Sequence, residues 1–312
     1  MKSTQTATLE GVLAVWKPAG WTSHDVVAKV RKMLRIRRIG HTGTLDPAVT
    51  GVLPLCIGRA TRLAEFLQDM PKAYDALLRF GIATDTQDLT GNVTETADAS
   101  HLTEEEIRKA VLGFLGDIEQ IPPMVSAVKV GGKRLYELAR QGVTVERKAR
   151  KVTIYAIKIQ EIRTGIPQPE VRFSVRCSKG TYIRTLCEDI GRALGVPAVM
   201  ASLVRTESAG LTREACVSLE EIPELLERGE LGRKLMPADR LLKHFPRAAA
   251  SASFARAALQ GRPLPAAALR PYPEREGLWL VDREDGVFLG IFKREAHTDS
   301  LKAVKLFPPA ES

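Results

Sequence analysis

Residues 40–47 read Gly-His-Thr-Gly-Thr-Leu-Asp-Pro and form the most distinctive stretch of the chain. Its glycines permit positive φ angles and a tight backbone path, and Pro47 stiffens the chain after Asp46. The Gly-Lys-Ser/Thr ending of a Walker A phosphate loop is missing. From the residues alone, Asp46 either caps the turn at Pro47 or supplies a reactive carboxylate. In the same way, His41 is either a hydrogen-bonded loop histidine or a functional side chain.

Regular patterns on both sides of this loop predict the secondary structure. Apolar residues occupy every second position of Val171–Cys177, as in a half-buried strand. The pairs Thr22 with Asp25 and Thr103 with Glu106 resemble capping boxes and predict two helix starts. Further strands are predicted at 12–16 and 74–80, and a further helix carries Ile183, Leu186, Ile190 and Leu194 and ends at Gly195 and Pro197. Because strands and helices do not alternate strictly, we predict an α+β fold with a mixed, largely antiparallel sheet flanked by helices.

The sequence changes character near Pro237. An alanine-rich stretch, a proline-rich segment and several short apolar runs follow. The dipeptide Asp285-Gly286 separates two of these runs, a pattern typical of a β-hairpin. We therefore predict a larger domain at 1–239 and a small β-rich domain at 240–312.

The composition excludes several classes of protein. The chain has 312 residues, of which 44% are hydrophobic and 27% charged, as in ordinary globular proteins. No apolar run approaches the roughly 20 residues that span a bilayer, and residues 1–10 are polar, so we expect no membrane association and a cytoplasmic location. The four cysteines form no Cys-x-x-Cys pair and have no histidine at metal-ligand spacing. We expect no metal and no cofactor.

The charge of the chain favours a polyanionic partner. The formal net charge is +9 and the isoelectric point is about 9.5, and neutralising phosphates releases counterions. Basic residues form two clusters, each of which is either a solvated surface or a nucleic-acid contact. The clusters are Lys29, Arg31, Lys32, Arg35, Arg37 and Arg38, and Lys129, Lys133, Arg134, Arg140, Arg147, Lys148, Arg150 and Lys151. Two such clusters in one chain favour RNA or DNA.

Several segments, in order, resemble those of one enzyme family. Residues 40–47 are very similar to the Gly-His-Thr-Gly-Ser/Thr-Leu-Asp-Pro motif of the TruB family of tRNA pseudouridine synthases, which modify uridine 55 in the T loop. Matching segments are Trp16–Gly20 with Thr22-Ser23, Lys72–Tyr74, Ile121–Ala127, Lys133–Gly142 and Gly180–Arg184. The resemblance covers residues 11 to about 240, and the remainder is similar to a small PUA-type β-barrel. Val125 replaces a frequent aromatic residue, and Val204 replaces an arginine that contacts RNA or lies on a helix surface.

The resemblance implies a set of site residues. Asp46, Arg184 and Tyr74 would be catalytic: Asp46 as the carboxylate, Arg184 as its cation and Tyr74 against the uracil ring. His41 would fill the space that the flipped uridine leaves. The implied substrate-binding set also includes Tyr182, Leu203 and Lys17, with Lys17 supporting the loop.

These residue types suit the isomerisation of uridine to pseudouridine. The reaction breaks the C1′–N1 bond, rotates the uracil and joins C5 to C1′, with no redox change. A carboxylate can attack the sugar or the base, and the sequence leaves open whether Asp46 attacks C1′ or C6. Because burial raises a carboxyl pKa, Asp46 needs a nearby cation, and the resemblance nominates Arg184, in the first turn of its helix.

Two other activities remain open from the sequence. One is a catalytically idle RNA-binding or tRNA-folding protein on the same fold, and the other is a glycosylase that releases free uracil. For the enzyme, the expected partner is the T arm of tRNA, bound by a monomer. The target base would be extruded from its loop, since a base inside an A-form helix is unreachable.

Overall fold

A computed structural model of the chain describes residues 9–126, 128–143 and 145–308. Parts of three predicted segments lie outside the described residues: 1–8 of the polar N-terminus, Ala127 of the Ile121–Ala127 segment, and 309–312 of the small domain.

The strands up to residue 236 are β1 (Gly11–Lys17), β2 (Ile39–His41), β3 (Thr50–Ile57), β4 (Lys72–Phe80), β5 (Ile82–Thr84), β6 (Val93–Thr96), β7 (Gly116–Gln120), β8 (Lys129–Val130), β9 (Lys133–Arg134), β10 (Arg150–Arg163), β11 (Glu170–Cys177), β12 (Ala198–Ser208) and β13 (Leu235–Met236). The α-helices of this part are α1 (Ser23–Leu34), α2 (Ala64–Asp69), α3 (Glu104–Leu112), α4 (Leu135–Arg140), α5 (Ile183–Ala193), α6 (Glu221–Glu227) and α7 (Ala238–Leu241).

The large sheet has the strand order β13-β1-β3-β12-β4-β11-β10-β7, and β2 pairs with β3. Its neighbours are antiparallel except for β3 and β12, which run parallel. The small pairs β5-β6 and β8-β9 lie apart from it. The predicted α+β fold with a largely antiparallel sheet is therefore confirmed.

The local patterns predicted from the sequence are present in the structure. Thr22 and Thr103 form capping boxes at the starts of α1 and α3, and β11 alternates between buried and more exposed residues. Helix α5 ends at Ala193, Leu194 is its C-cap, and Gly195 follows with a positive φ of 71°. Helices α3 and α5 cover one face of the sheet and share a hydrophobic core with β4 and β11.

The C-terminal region forms a second sheet. Its elements are β14 (Arg247–Ala250), α8 (Ala252–Leu259), β15 (Leu264–Pro265), β16 (Leu269–Arg270), β17 (Gly277–Arg283), β18 (Phe288–Arg294) and β19 (Ser300–Leu306). The strand order is β15-β19-β18-β17-β14-β16, a barrel-like arrangement of the predicted PUA type. The predicted hairpin joins β17 to β18. The predicted boundary between 239 and 240 lies within α7, between the last strand of the large sheet and the first of the small one.

One hydrophobic core joins the two sheets. Leu63 and Leu67, beside and within α2, are fully buried in the same cluster as Leu280, Ile291 and Phe307 of the second sheet. The C-terminal region is thus packed against the first part of the chain. Within the described ranges, none of the helices is long and apolar enough to cross a membrane.

Candidate active site

The stretch 40–47 begins in β2 and leads toward β3, and buried polar groups fix it in place. The Ser23 hydroxyl, in the first turn of α1, accepts a hydrogen bond from the N–H of Leu45 at 2.8 Å. The carbonyl of Asp46 accepts from the N–H of Val49 at 3.1 Å and closes the turn that follows. The backbone of Asp46, rather than its side chain, therefore makes this turn. Its carboxylate is available to other partners.

The Asp46 carboxylate pairs with Arg184. Nε of Arg184 lies 3.0 Å from Oδ2 of Asp46, and the Arg184 side chain is only 4% exposed. The two remaining guanidinium nitrogens donate to the carbonyls of Thr86 and Val125, each at 2.8 Å. As predicted, Arg184 lies in the first turn of α5. The guanidinium is thus fixed by three partners, while the Asp46 side chain keeps 38% of its surface exposed.

Opposing effects set the pKa of Asp46. Burial is the largest and raises the pKa, whereas the charges of Arg184 and Lys17 lower it and the nearby carboxylate of Asp88 raises it. The pKa remains above the ordinary aspartate value of 3.8, so the ion pair offsets only part of the cost of burial. A raised pKa of this kind, together with a specific charge partner in a cavity, is characteristic of functional carboxylates.

A cavity of about 250 Å³ opens at Asp46. Its lining includes Arg184 and Tyr182 at the start of α5, Tyr74 on β4 and Leu203 on β12. Tyr74 is 8% exposed, and burial raises the pKa of its phenol. The structure therefore brings five of the seven predicted site residues to one cavity.

The other two, His41 and Lys17, do not belong to the described cavity lining. Nδ1 of His41 accepts a hydrogen bond from the N–H of Gly43 at 3.2 Å, and burial lowers the pKa of the imidazole. Lys17 is fully buried, and its ammonium donates to three backbone carbonyls, among them that of Pro47 at 3.1 Å. Burial lowers the pKa of Lys17 to about 8. Both side chains hydrogen-bond to the backbone of the loop.

The sequence of this chain matches those of known proteins. Two family models match in succession, TruB family pseudouridylate synthase (N terminal domain) over residues 31–183 and tRNA pseudouridylate synthase B C-terminal domain over residues 184–243. A protein of Symbiobacterium thermophilum called tRNA pseudouridine synthase B is 52% identical over 253 residues, which cover 81% of this chain and 82% of that one. The chain belongs to the TruB family of pseudouridine synthases. It is therefore an isomerase.

The likeness to TruB-family proteins extends over most of the chain. A tRNA pseudouridine synthase B of Halalkalibacterium halodurans is 44% identical over 93% of this chain and 95% of its own. Among solved structures, a chain in the crystal structure of a Cbf5-Nop10-Gar1 complex superposes with a TM-score of 0.76 at 27% identity. That match covers 99% of this chain and 88% of the other, so it includes both sheets.

Two buried polar residues of this TruB-family site were not singled out from the sequence. Gln120 is 2% exposed, and its side-chain amide bonds to both the N–H and the carbonyl of Tyr182, at 3.0 and 3.2 Å. Arg205 is fully buried and lines the cavity. From the sequence, only the residue before Arg205, Val204, was named, as a departure from the family pattern. Val204 lies on strand β12, so its interpretation as a helix-surface position is wrong.

In the described part of the chain, no group of His, Cys, Asp and Glu side chains is arranged to hold a metal ion. The described cysteines are free thiols, three of them buried. Burial raises the pKa of Cys177 to about 11. At neutral pH this thiol is therefore protonated and a poor nucleophile.

Proposed function

We propose that the chain converts uridine 55 in the T loop of tRNA to pseudouridine, with Asp46 as the catalytic carboxylate. The observation that carries this proposal is the contact between Asp46 and the buried Arg184 at the floor of a cavity lined by Tyr74. Family membership supplies the reaction, and the names of the curated relatives support tRNA as the substrate. The particular uridine follows from the motif resemblance.

Asp46 would begin the reaction by attacking C1′ of the sugar or C6 of the base. Attack requires the ionised carboxylate, and Arg184 favours that form against the effect of burial. Once the C1′–N1 bond is broken, the uracil must remain in the cavity while it rotates and C5 reaches C1′. Tyr74 on the cavity wall offers an aromatic face for the base and a phenol near the C5 proton that must leave.

Binding of the RNA would rest on the exposed basic residues. Lys29, Lys32, Arg35, Arg37 and Arg38 are exposed at the end of α1 and in the loop after it. Arg31 of the same cluster is half-buried and donates to the carbonyl of Ile39 at 2.5 Å, so it fixes the backbone as well. We expect this surface to contact T-arm phosphates and the C-terminal sheet to reach the acceptor end. A monomer acting in the cytoplasm is the expected form.

The alternative function is a catalytically idle RNA-binding protein. Such a protein has no need of a carboxylate and arginine that share a cavity with a tyrosine, and burying Arg184 costs free energy unless it is fully partnered. A glycosylase would use the same carboxylate but would release the base.

One experiment separates these functions. A uridine-55-containing tRNA transcript is incubated with the purified protein, and pseudouridine is mapped along the RNA while free uracil is measured in the supernatant. We expect pseudouridine at position 55 and no free uracil. Binding without modification supports the idle protein, and free uracil supports the glycosylase.

A further inference from the structure

Arg205 is a fully buried cation without a carboxylate partner in the described structure. Its side chain has 0% exposure, and it forms none of the ion pairs found among the described residues. Three of its hydrogen bonds go to backbone carbonyls: Nε to Val52 at 2.8 Å, Nη1 to Thr44 at 3.3 Å and Nη2 to Gly43 at 3.1 Å. A side-chain hydrogen bond also joins it to the uncharged phenol of Tyr74. Burial lowers the pKa of this arginine.

Stability alone does not account for a charge in this position. Removing the charge of an arginine from water costs free energy, and neutral carbonyls offset this cost less well than a carboxylate does. An apolar side chain of similar volume would fill the space at lower cost. The role of the guanidinium therefore lies in the backbone segments that its hydrogen bonds connect.

The bonds of Arg205 hold both ends of the catalytic loop. Gly43 and Thr44 precede Asp46, and Val52 follows it on β3. The backbone of Arg205 also contacts the strand that follows the loop, because Arg205 pairs with Gly51 in the parallel ladder of β12 and β3. A Cβ at Gly51 would lie 2.2 Å from the Arg205 carbonyl, so the contact requires glycine.

Arg205 also connects this loop to Tyr74. The two residues are direct partners across the antiparallel ladder of β12 and β4. The charge of Arg205 lowers the pKa of the Tyr74 phenol, opposing the larger effect of burial, while the nearby Cys177 and Asp46 raise it. One side chain therefore hydrogen-bonds to the loop that carries Asp46 and to the tyrosine that lines the same cavity.

We propose that Arg205 is a positioning residue of the active site, which fixes the Asp46 loop at both ends and holds it in register with Tyr74. The proposal rests on the proposed function, since it concerns the same cavity. Its prediction is specific: loss of the guanidinium lowers the rate of the chemical step without weakening the binding of tRNA, whose phosphates contact the outer surface.

The test compares Arg205→Met, which keeps a long side chain but removes every donor, with Arg205→Lys, which keeps the charge and part of the bonding. The matched control is Arg79→Met, which removes an arginine from the far end of β4, where it pairs with Glu170 at 2.8 Å. Single-turnover rates at saturating protein, dissociation constants and hydrogen exchange of the backbone amides at 43–52 are measured for each. We expect Arg205→Met to lower the rate at least about tenfold, with Arg205→Lys between it and the unmodified protein.

The dissociation constant for tRNA should stay within about threefold, and exchange at 43–52 should accelerate in the Arg205 variants but not in the control. Unchanged rate and exchange in folded Arg205→Met would overturn the proposal, as would a parallel loss of binding and rate. If Arg205→Met does not fold, a normal rate and normal exchange in Arg205→Lys overturn it instead. Absence of pseudouridine with the unmodified protein would instead refute the proposed function.

Discussion

Replacement of Arg184 by lysine separates the charge of this residue from its geometry. The guanidinium contacts the Asp46 carboxylate at 3.0 Å and two backbone carbonyls at 2.8 Å each. A lysine ammonium keeps the charge but lacks the planar fork that reaches all three partners at once. Loss of one hydrogen bond to a charged group costs about 1.5–3 kcal/mol. If that contact is needed in the transition state, the rate falls by about tenfold to a hundredfold.

The assay is the single-turnover release of tritium from tRNA labelled at uridine C5, with saturating Arg184→Lys protein. Arg192→Lys is the matched control, because Arg192 lies on the same helix but is 69% exposed and pairs with Glu188 and Asp189 on the surface. It should retain the full rate, since exposed ion pairs contribute little. A normal rate in Arg184→Lys would refute the pairing as a requirement of catalysis.

Two further predictions concern pH and the C-terminal region. Because burial raises the pKa of Asp46 above 3.8, the ionised form is lost as the pH falls through that raised value. The single-turnover rate should therefore decline at a higher pH than an exposed aspartate requires, and a rate that stays constant down to about pH 4 contradicts this. Truncation before Ala238 removes Leu280, Ile291 and Phe307 from the shared core, so we expect a lower melting temperature and weaker tRNA binding, with the rate at saturating tRNA within a few-fold. A folded truncated protein that binds tRNA normally but cannot modify it would show that the C-terminal region shapes the active site.

Elements whose signals are local could be predicted from the sequence. The alternation of Val171–Cys177 identifies β11, and the capping boxes at Thr22 and Thr103 mark the starts of α1 and α3. Arg184 could be placed in the first turn of α5 because the apolar residues of that helix begin at Ile183. In each case the pattern and the structure that it produces lie within about a dozen residues of each other.

Features that depend on distant contacts could not be predicted in this way. The parallel pairing of β3 with β12 joins segments far apart in the chain. Strand β12 contains bulges between Met200 and Ser202 and between Arg205 and Glu207. Since a bulge changes which residues face the core, simple alternation gives no reliable indication that Arg205 is buried.

The core that the two sheets share also depends on contacts between segments that are distant in the sequence. The sequence break near Pro237 precedes a β-rich region, but no local pattern indicates that Leu63 and Leu67 pack against it. The roles of His41 and Lys17 illustrate a related difficulty. A motif identifies the residues together, whereas in the structure Asp46 lines the cavity and the other two hydrogen-bond to the loop backbone outside that lining.

The most direct test of the account is Asp46→Asn. The carboxamide keeps the size of the side chain but removes its negative charge, and Arg184 retains its bonds to the carbonyls of Thr86 and Val125. With circular dichroism as the check on folding, the variant should bind tRNA as the unmodified protein does. Tritium release from tRNA labelled at uridine C5 should fall to background. Substantial release by the folded variant would contradict the assignment of Asp46 as the catalytic carboxylate.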